Sequence, residues 1–172
     1  MLAYQLSLSP DNLKAVLQMH PGCLSENGDF SFFWHPYGCP IDHFFLIYNF
    51  ANLGRAMVHA LSVEMQGKGV LFLGKSGVGK STLAKQMQLS GTGTVINDER
   101  AIVCLTPERF DIYGTPYLND LGVARNEKAP LSGLYFLQQD AQDSIEELRP
   151  AVALTKLLTV SSVPWFDKDY MD

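Results

Sequence analysis

Hydrophobic residues along this chain come mostly in short runs separated by turn-forming residues. The patterning is weak over residues 1–42. There, Ser9-Pro10-Asp11 predicts the start of a short helix with Leu13, Val16 and Leu17 on one face. Phe30 to Trp34 (FSFFW) predicts a strand between the turns at Asn27-Gly28 and Pro36-Tyr37-Gly38. From Asp42, a helix-capping residue type, Phe45, Phe50, Leu53 and Met57 recur at near-helical spacing and predict a helix. Alternation over Leu61 to Met65, a break at Gln66-Gly67-Lys68-Gly69 and the apolar run Val70 to Leu73 predict a hairpin feeding a buried strand.

Further along, Lys80 to Leu89 reads as a short helix stopped by Gly91 and Gly93. Thr94 to Ile96 and Ala101 to Leu105 read as strands on either side of Asn97-Asp98-Glu99. Thr106-Pro107 turns the chain, Ile112-Tyr113 leads into Gly114-Thr115-Pro116, and residues 117–130 read as an irregular, mobile loop. Leu134 to Leu137 predicts a strand, and Pro150 starts a helix carrying Val152, Leu154, Leu157 and Leu158. Strands alternating with helices predict an α/β domain.

Composition narrows the class. The chain has 172 residues, 47% hydrophobic and 18% charged, enough apolar side chains for a packed core. Its net charge of −5 argues against nucleic acid or an anionic membrane as a partner. The odd, widely spaced set Cys23, Cys39 and Cys104 reads as reduced thiols. Without a basic-then-apolar leader or a long apolar run, a soluble cytoplasmic location is expected.

Chemistry enters at Gly74-Lys75-Ser76-Gly77-Val78-Gly79-Lys80-Ser81, which fits the Walker A pattern in full. Glycines let backbone N–H groups turn inward as an anion nest, and the positive end of the next helix adds to it. Lys80 is expected to reach the terminal phosphates, and the Ser81 hydroxyl to sit on Mg²⁺. Gly74, Ser76, Gly77, Val78, Gly79, Lys80, Ser81 and Thr82 form the expected nucleotide-binding set. The chain lacks Asn-Lys-x-Asp for guanine and the transporter signature Leu-Ser-Gly-Gly-Gln. It holds only five arginines, few for a nucleotide-kinase lid. Asp98 and Glu99 end the strand that directly follows the loop's helix, at the sheet edge where a carboxylate meets a bound metal. One acid would bind Mg²⁺ and the other act as general base on a hydroxyl acceptor.

With these residues in view, the chain resembles the HPr serine kinase/phosphorylase catalytic domain and its kinase-like relatives. The resemblance rests on Val58-His59-Ala60-Leu61-Ser62-Val63 and on Gly67 through Thr82. It continues in Ile96-Asn97-Asp98-Glu99-Arg100 and Tyr113-Gly114-Thr115-Pro116, within a family-like core of residues 43–160. It implies a phosphate-loop nucleotide-binding fold shared with phosphoenolpyruvate carboxykinase, a mixed sheet flanked by helices, with residues 1–172 as one domain. It further implies an ATP- and Mg²⁺-dependent kinase acting on Ser of a protein or peptide, in an oligomer. His59 matches a family histidine beside the active site. Asp98-Glu99 stands where the family has Asp-Asp, with Asp98 favoured as base, and metal ligands drawn from Ser81, Asp98 and Glu99. An Arg/Gly-rich segment typical of the family is not found here. The alternative is a nucleotide-binding regulatory or assembly module that transfers nothing.

Other polar residues read more plainly. His20, Cys23, His35, Cys39 and His43 lack the paired short spacing of a zinc site. Arg100, Arg125 and Lys128 each read, taken singly, as solvated surface charge rather than phosphate contacts. Tyr113-Gly114-Thr115-Pro116 reads as a turn shaping the acceptor side.

Overall fold

The computed structural model describes residues 4–11, 13–19, 41–119, 121–165 and 167–168. The chain groups into two compact units, Met1–Leu53 with Pro164–Asp172, and Gly54–Val163.

In the first unit, β1 (Tyr4–Leu8) and β2 (Ala15–Met19) form an antiparallel hairpin. The helix expected from Ser9-Pro10-Asp11 is not there. Its capping groups close the hairpin turn instead. The Asp11 carboxylate accepts from the Ser9 hydroxyl and from the Leu13 amide (3.1 Å), and Ser9 N–H donates to Lys14 O at 2.9 Å. Ser and Asp side chains compete with helical bonding in this way whenever a turn lets them reach nearby amides. Helix α1 (Ile41–Ala51) buries Ile47 and Phe50, with Asp42 in its first turn accepting from the His43 amide at 2.7 Å. The predicted strand Phe30 to Trp34 lies outside the described residues, as do His20, Cys23, His35 and Cys39.

In the second unit, β3 (Arg55–Met65) begins immediately after Gly54, whose φ of +61° closes off the helical pattern. Met57, expected on the helix, is fully buried in this strand. A two-residue turn at Gln66 (φ +52°) and Gly67 (φ +77°) joins β3 to β4 (Lys68–Leu73). Positive φ at both central positions matches the twist of an antiparallel pair. After helix α2 (Lys80–Ser90), β5 (Thr94–Asn97) and β6 (Arg100–Leu105) run antiparallel along the other edge of β3. The Ala60 amide bonds to Glu99 O (3.2 Å), so the ladder continues through the Asp98-Glu99 junction. Strands β7 (Phe110–Gly114) and β8 (Lys128–Phe136) follow, and β8 lies parallel to β4.

The pairings β3–β4–β8–β7–β6–β3 close a ring through both edges of β3, with β4–β8 the parallel pair. Val58, Ala60, Leu71, Leu73, Ile96, Ala101, Ile112 and Ala129 make one core cluster. Leu61, Val63 and Val95 make another under Ala84 of α2. Helix α3 (Pro150–Val160), with Pro in its first turn as expected, packs Leu157 and Val160 on the first cluster. It leads into β9 (Ser161–Ser162), paired with Met57 and Val58. Mixed α/β architecture is therefore present, with a sheet dominated by antiparallel pairs. No helix among the described residues is long and apolar enough to cross a membrane.

Candidate active site

The glycine loop begins where the buried strand β4 ends. Gly74, Gly77 and Gly79 have φ of +154°, +81° and +112°. A Cβ on Gly77 or Gly79 would meet nothing within 4 Å, so these two glycines answer a backbone requirement rather than a packing one. Gly79 caps α2 without a side-chain hydrogen bond, which leaves the first-turn amides of the helix to an outside acceptor. Lys80, the first residue of α2, is only 6% exposed. Its ammonium folds back over the loop, donating to Gly74 O (2.9 Å) and Lys75 O (3.3 Å). Burial holds its pKa below the ordinary lysine value, against the opposing pull of the Glu99 charge. Ser76 and Thr82 are exposed, and Val78 and Ser81 half-buried.

The acidic junction is organised by a residue to which the sequence reading gave no role. Asn97 is fully buried. Its Oδ1 accepts from the amides of Glu99 (2.8 Å) and Arg100 (2.7 Å), while Nδ2 donates to Thr115 O and Tyr117 O, both at 2.9 Å. Thr115 Oγ1 in turn donates to Arg100 O at 2.8 Å. One amide side chain thus sets the turn that presents Asp98, Glu99 and Arg100. The signal in the sequence was an Asn directly before two acids at a strand end, the composition of a side-chain-closed turn.

The two acids occupy opposite environments. Asp98 has no exposed surface; Oδ2 accepts from the Leu121 amide (3.2 Å) and buried Oδ1 has no hydrogen-bond partner. Glu99 is partly open and lies 3.6 Å from His59 Nδ1 and 3.9 Å from Arg100 Nε. His59 and Arg100 are register partners across β3 and β6, so both side chains stand on one sheet face. Leu61 and Val63 share that face by alternation, and α2 covers them. Lys80, at the head of α2, is thereby brought to His59 and Glu99. The His59 pKa is depressed, by burial first and by the Lys80 charge next; Glu99 opposes this and Arg100 adds to it.

His59, Lys80 and Glu99 are thus brought together at the mouth of the loop, and Asp98 is sealed beside them. Arg100 departs from its reading as solvated charge: its side chain is 26% exposed and held in the cluster. Arg125 and Lys128 do stand at the surface, the first 3.6 Å from Glu127 and the second over the Tyr113 ring. Of residues 117–130, expected to be an irregular, mobile loop, 128–130 begin β8, and the Leu121 amide and Arg125 N–H to Ile96 O (2.9 Å) tie the stretch before it to the sheet. A cleft of about 250 Å³ is lined by Gly114, Thr115, Pro116, Ala124, Arg125 and Asn126. Among the described residues, no group of three or more His, Cys, Asp or Glu side chains could hold a metal by itself.

The chain matches no protein-family profile. It is similar to the HPr kinase/phosphorylases of Cupriavidus necator and Cupriavidus metallidurans, 33% identical over 81 residues in each case. The corresponding protein of Ralstonia pickettii shows the same identity over the same length. That match covers 47% of this chain and 25% of each relative, so the chain spans about a quarter of their length. Among solved structures, the Hpr(Ser) kinase/phosphatase from Coxiella burnetii aligns with a TM-score of 0.42 and 16% sequence identity. It covers 55% of this chain and 73% of that one.

Proposed function

We propose that the protein is an ATP- and Mg²⁺-dependent kinase of the HPr kinase-like type, built on the phosphate-loop fold of that family. It would transfer the γ-phosphoryl group to a seryl hydroxyl of a protein or peptide. The observation that carries this reading is the convergence of Lys80, His59 and Glu99 at the mouth of a glycine loop that matches the Walker A pattern. Similarity to proteins named HPr kinase/phosphorylase supports it.

In this reading the loop amides from Gly74 to Thr82 and the head of α2 hold the phosphate chain. Lys80 exchanges its two loop carbonyls for phosphate oxygens. The seryl oxygen attacks the γ-phosphorus, the bond to the β,γ-bridging oxygen breaks, ADP leaves, and the hydroxyl proton passes to a carboxylate of the Asp98-Glu99 pair. His59, whose pKa burial and the Lys80 charge depress, orients Glu99. Mg²⁺ suits the donors present, all hard oxygens: the Ser81 hydroxyl, Glu99, and Asp98 with its unpartnered buried Oδ1. When bound, it would neutralise charge on the phosphate oxygens. In this reading the cleft lined by Thr115 and Pro116 would take the acceptor segment.

A second reading, a nucleotide-binding module without transfer, is favoured by the sealing of Asp98 under the Leu121 amide. Incubation with γ-labelled ATP in extract of the native cell separates the two. A labelled polypeptide that depends on both Lys80 and Asp98 supports the kinase. Tight nucleotide binding with no label transferred leaves the module, and retention of binding and transfer by Lys80→Ala sinks both.

A further inference from the structure

Of the five arginines, four have ordinary settings. Arg109 donates to Asp111 at 2.7 Å, Arg125 pairs with Glu127, Arg55 is exposed at the start of β3, and Arg149 caps α3. Arg100 differs. It stands opposite His59 on the sheet face that α2 covers. Its guanidinium has neighbours on three sides, with Nε 3.9 Å from Glu99, Nη1 donating to Ser162 Oγ at 3.4 Å, and the Tyr117 ring 6.0 Å below. Each contact is long, so the group is aimed without being consumed. A guanidinium carries five N–H donors in a planar fork, and these contacts leave capacity for a bidentate anion. Glu99 lies within 4 Å of both His59 and Arg100, and its charge also acts on Lys80. Arg100 and Lys80 therefore share Glu99 as a charge partner, the first by contact and the second through its field.

We infer that Arg100 is a phosphate-binding residue of this site, gripping with Lys80 the terminal phosphoryl group of a nucleoside triphosphate. The inference rests on the nucleotide reading above and deepens it. A terminal phosphoryl carries the charge that a diphosphate lacks. Arg100 should therefore discriminate between the two nucleotides, whereas a merely structural arginine would affect both alike.

The test is calorimetric affinity for ATP and for ADP, in Mg²⁺, for the unaltered protein, Arg100→Ala, Arg100→Lys and Lys80→Ala. Arg100→Ala is expected to weaken ATP about tenfold or more, the scale of a lost charged hydrogen bond, with ADP changed less than about twofold. Arg100→Lys, which keeps the charge and loses the fork, should fall between. Equal losses for both nucleotides, or none, overturn the inference even where Lys80→Ala abolishes binding. If the unaltered protein binds neither nucleotide, the kinase reading falls and takes this with it. Should Arg100→Ala fail to fold, the ATP-to-ADP ratio of Arg100→Lys decides, and an unchanged ratio counts against.

Discussion

Replacing Asn97 by Ala should disrupt the site from beneath, although Asn97 touches no ligand in any scheme above. Its fully buried side chain makes four hydrogen bonds of 2.7–2.9 Å to backbone groups of residues 99, 100, 115 and 117. Each is worth about 1 kcal/mol net, and an abandoned buried partner costs more than that. Water entering the space of the lost amide recovers part of the penalty. The expected loss is therefore about 3–5 kcal/mol, a large share of the roughly 5–15 kcal/mol that stabilises a whole domain. Urea unfolding at neutral pH measures the loss, and amide exchange at Glu99 and Arg100 should accelerate beyond the global change. A cost below about 1 kcal/mol, or unchanged protection at those amides, would refute the role given to Asn97. Asn97→Asp adds a sign test. It keeps both accepted bonds but sets an anion against two carbonyl oxygens, so its carboxyl pKa must rise on folding. The folded state then binds more protons than the unfolded, and that variant should lose stability as pH climbs above the ordinary aspartate range.

Two further outcomes follow from the geometry. The His59 pKa is depressed below 6.5 in the folded protein, so the folded state binds fewer protons than the unfolded; stability should be full above about pH 6.5 and decline as pH falls toward the folded value. Unfolding curves from pH 7 to pH 5 should show this decline, and His59→Gln should flatten it; a parallel pH dependence in the variant would remove His59 as its source. Gly114→Ala should cost about 3 kcal/mol, because its Cβ would lie 2.0 Å from Arg125 O and 2.9 Å from Ile96 Cγ2, and a thermal melt within a degree or two of the unaltered protein would contradict that.

Much of the second unit was legible because its signals are local. The β3–β4 hairpin, the glycine loop, α2 with its Gly91 stop and the proline-started α3 each follow from a few adjacent residues. What failed to show were choices made by pairing. Ser9-Pro10-Asp11 has the same composition whether it caps a helix or closes a hairpin, and only the partner strand decides. Met57 fits a helical face and a buried strand equally well. In the site, Lys80 and the acids were visible from their motifs, whereas Arg100 was not. Its place depends on the register that sets it opposite His59, 41 positions back, and a one-residue slip would turn it to the other face. Asn97 was hidden for a similar reason, since two of its four partners come from the segment after β7.

The sealed carboxylate separates a residue kept for chemistry from one kept for the fold. Asp98 carries a buried oxygen with no partner, and such a group costs a fold about 1–3 kcal/mol. Asp98→Asn preserves the shape and can still accept from the Leu121 amide while removing the carboxyl group's capacity to hold a cation or take a proton. If Asp98 only anchored Leu121, that substitution would leave any transfer activity unchanged, whatever it does to stability. If it is held for a cation or a hydroxyl proton, the substitution should leave stability equal or raise it by about 1 kcal/mol, measured without Mg²⁺, while phosphoryl transfer collapses with nucleotide binding intact. Urea midpoints read together with the γ-label assay give both numbers on one preparation. A variant destabilised by more than about 1 kcal/mol but still active would make Asp98 a structural residue and hand the proton to Glu99, the acid at the mouth of the loop.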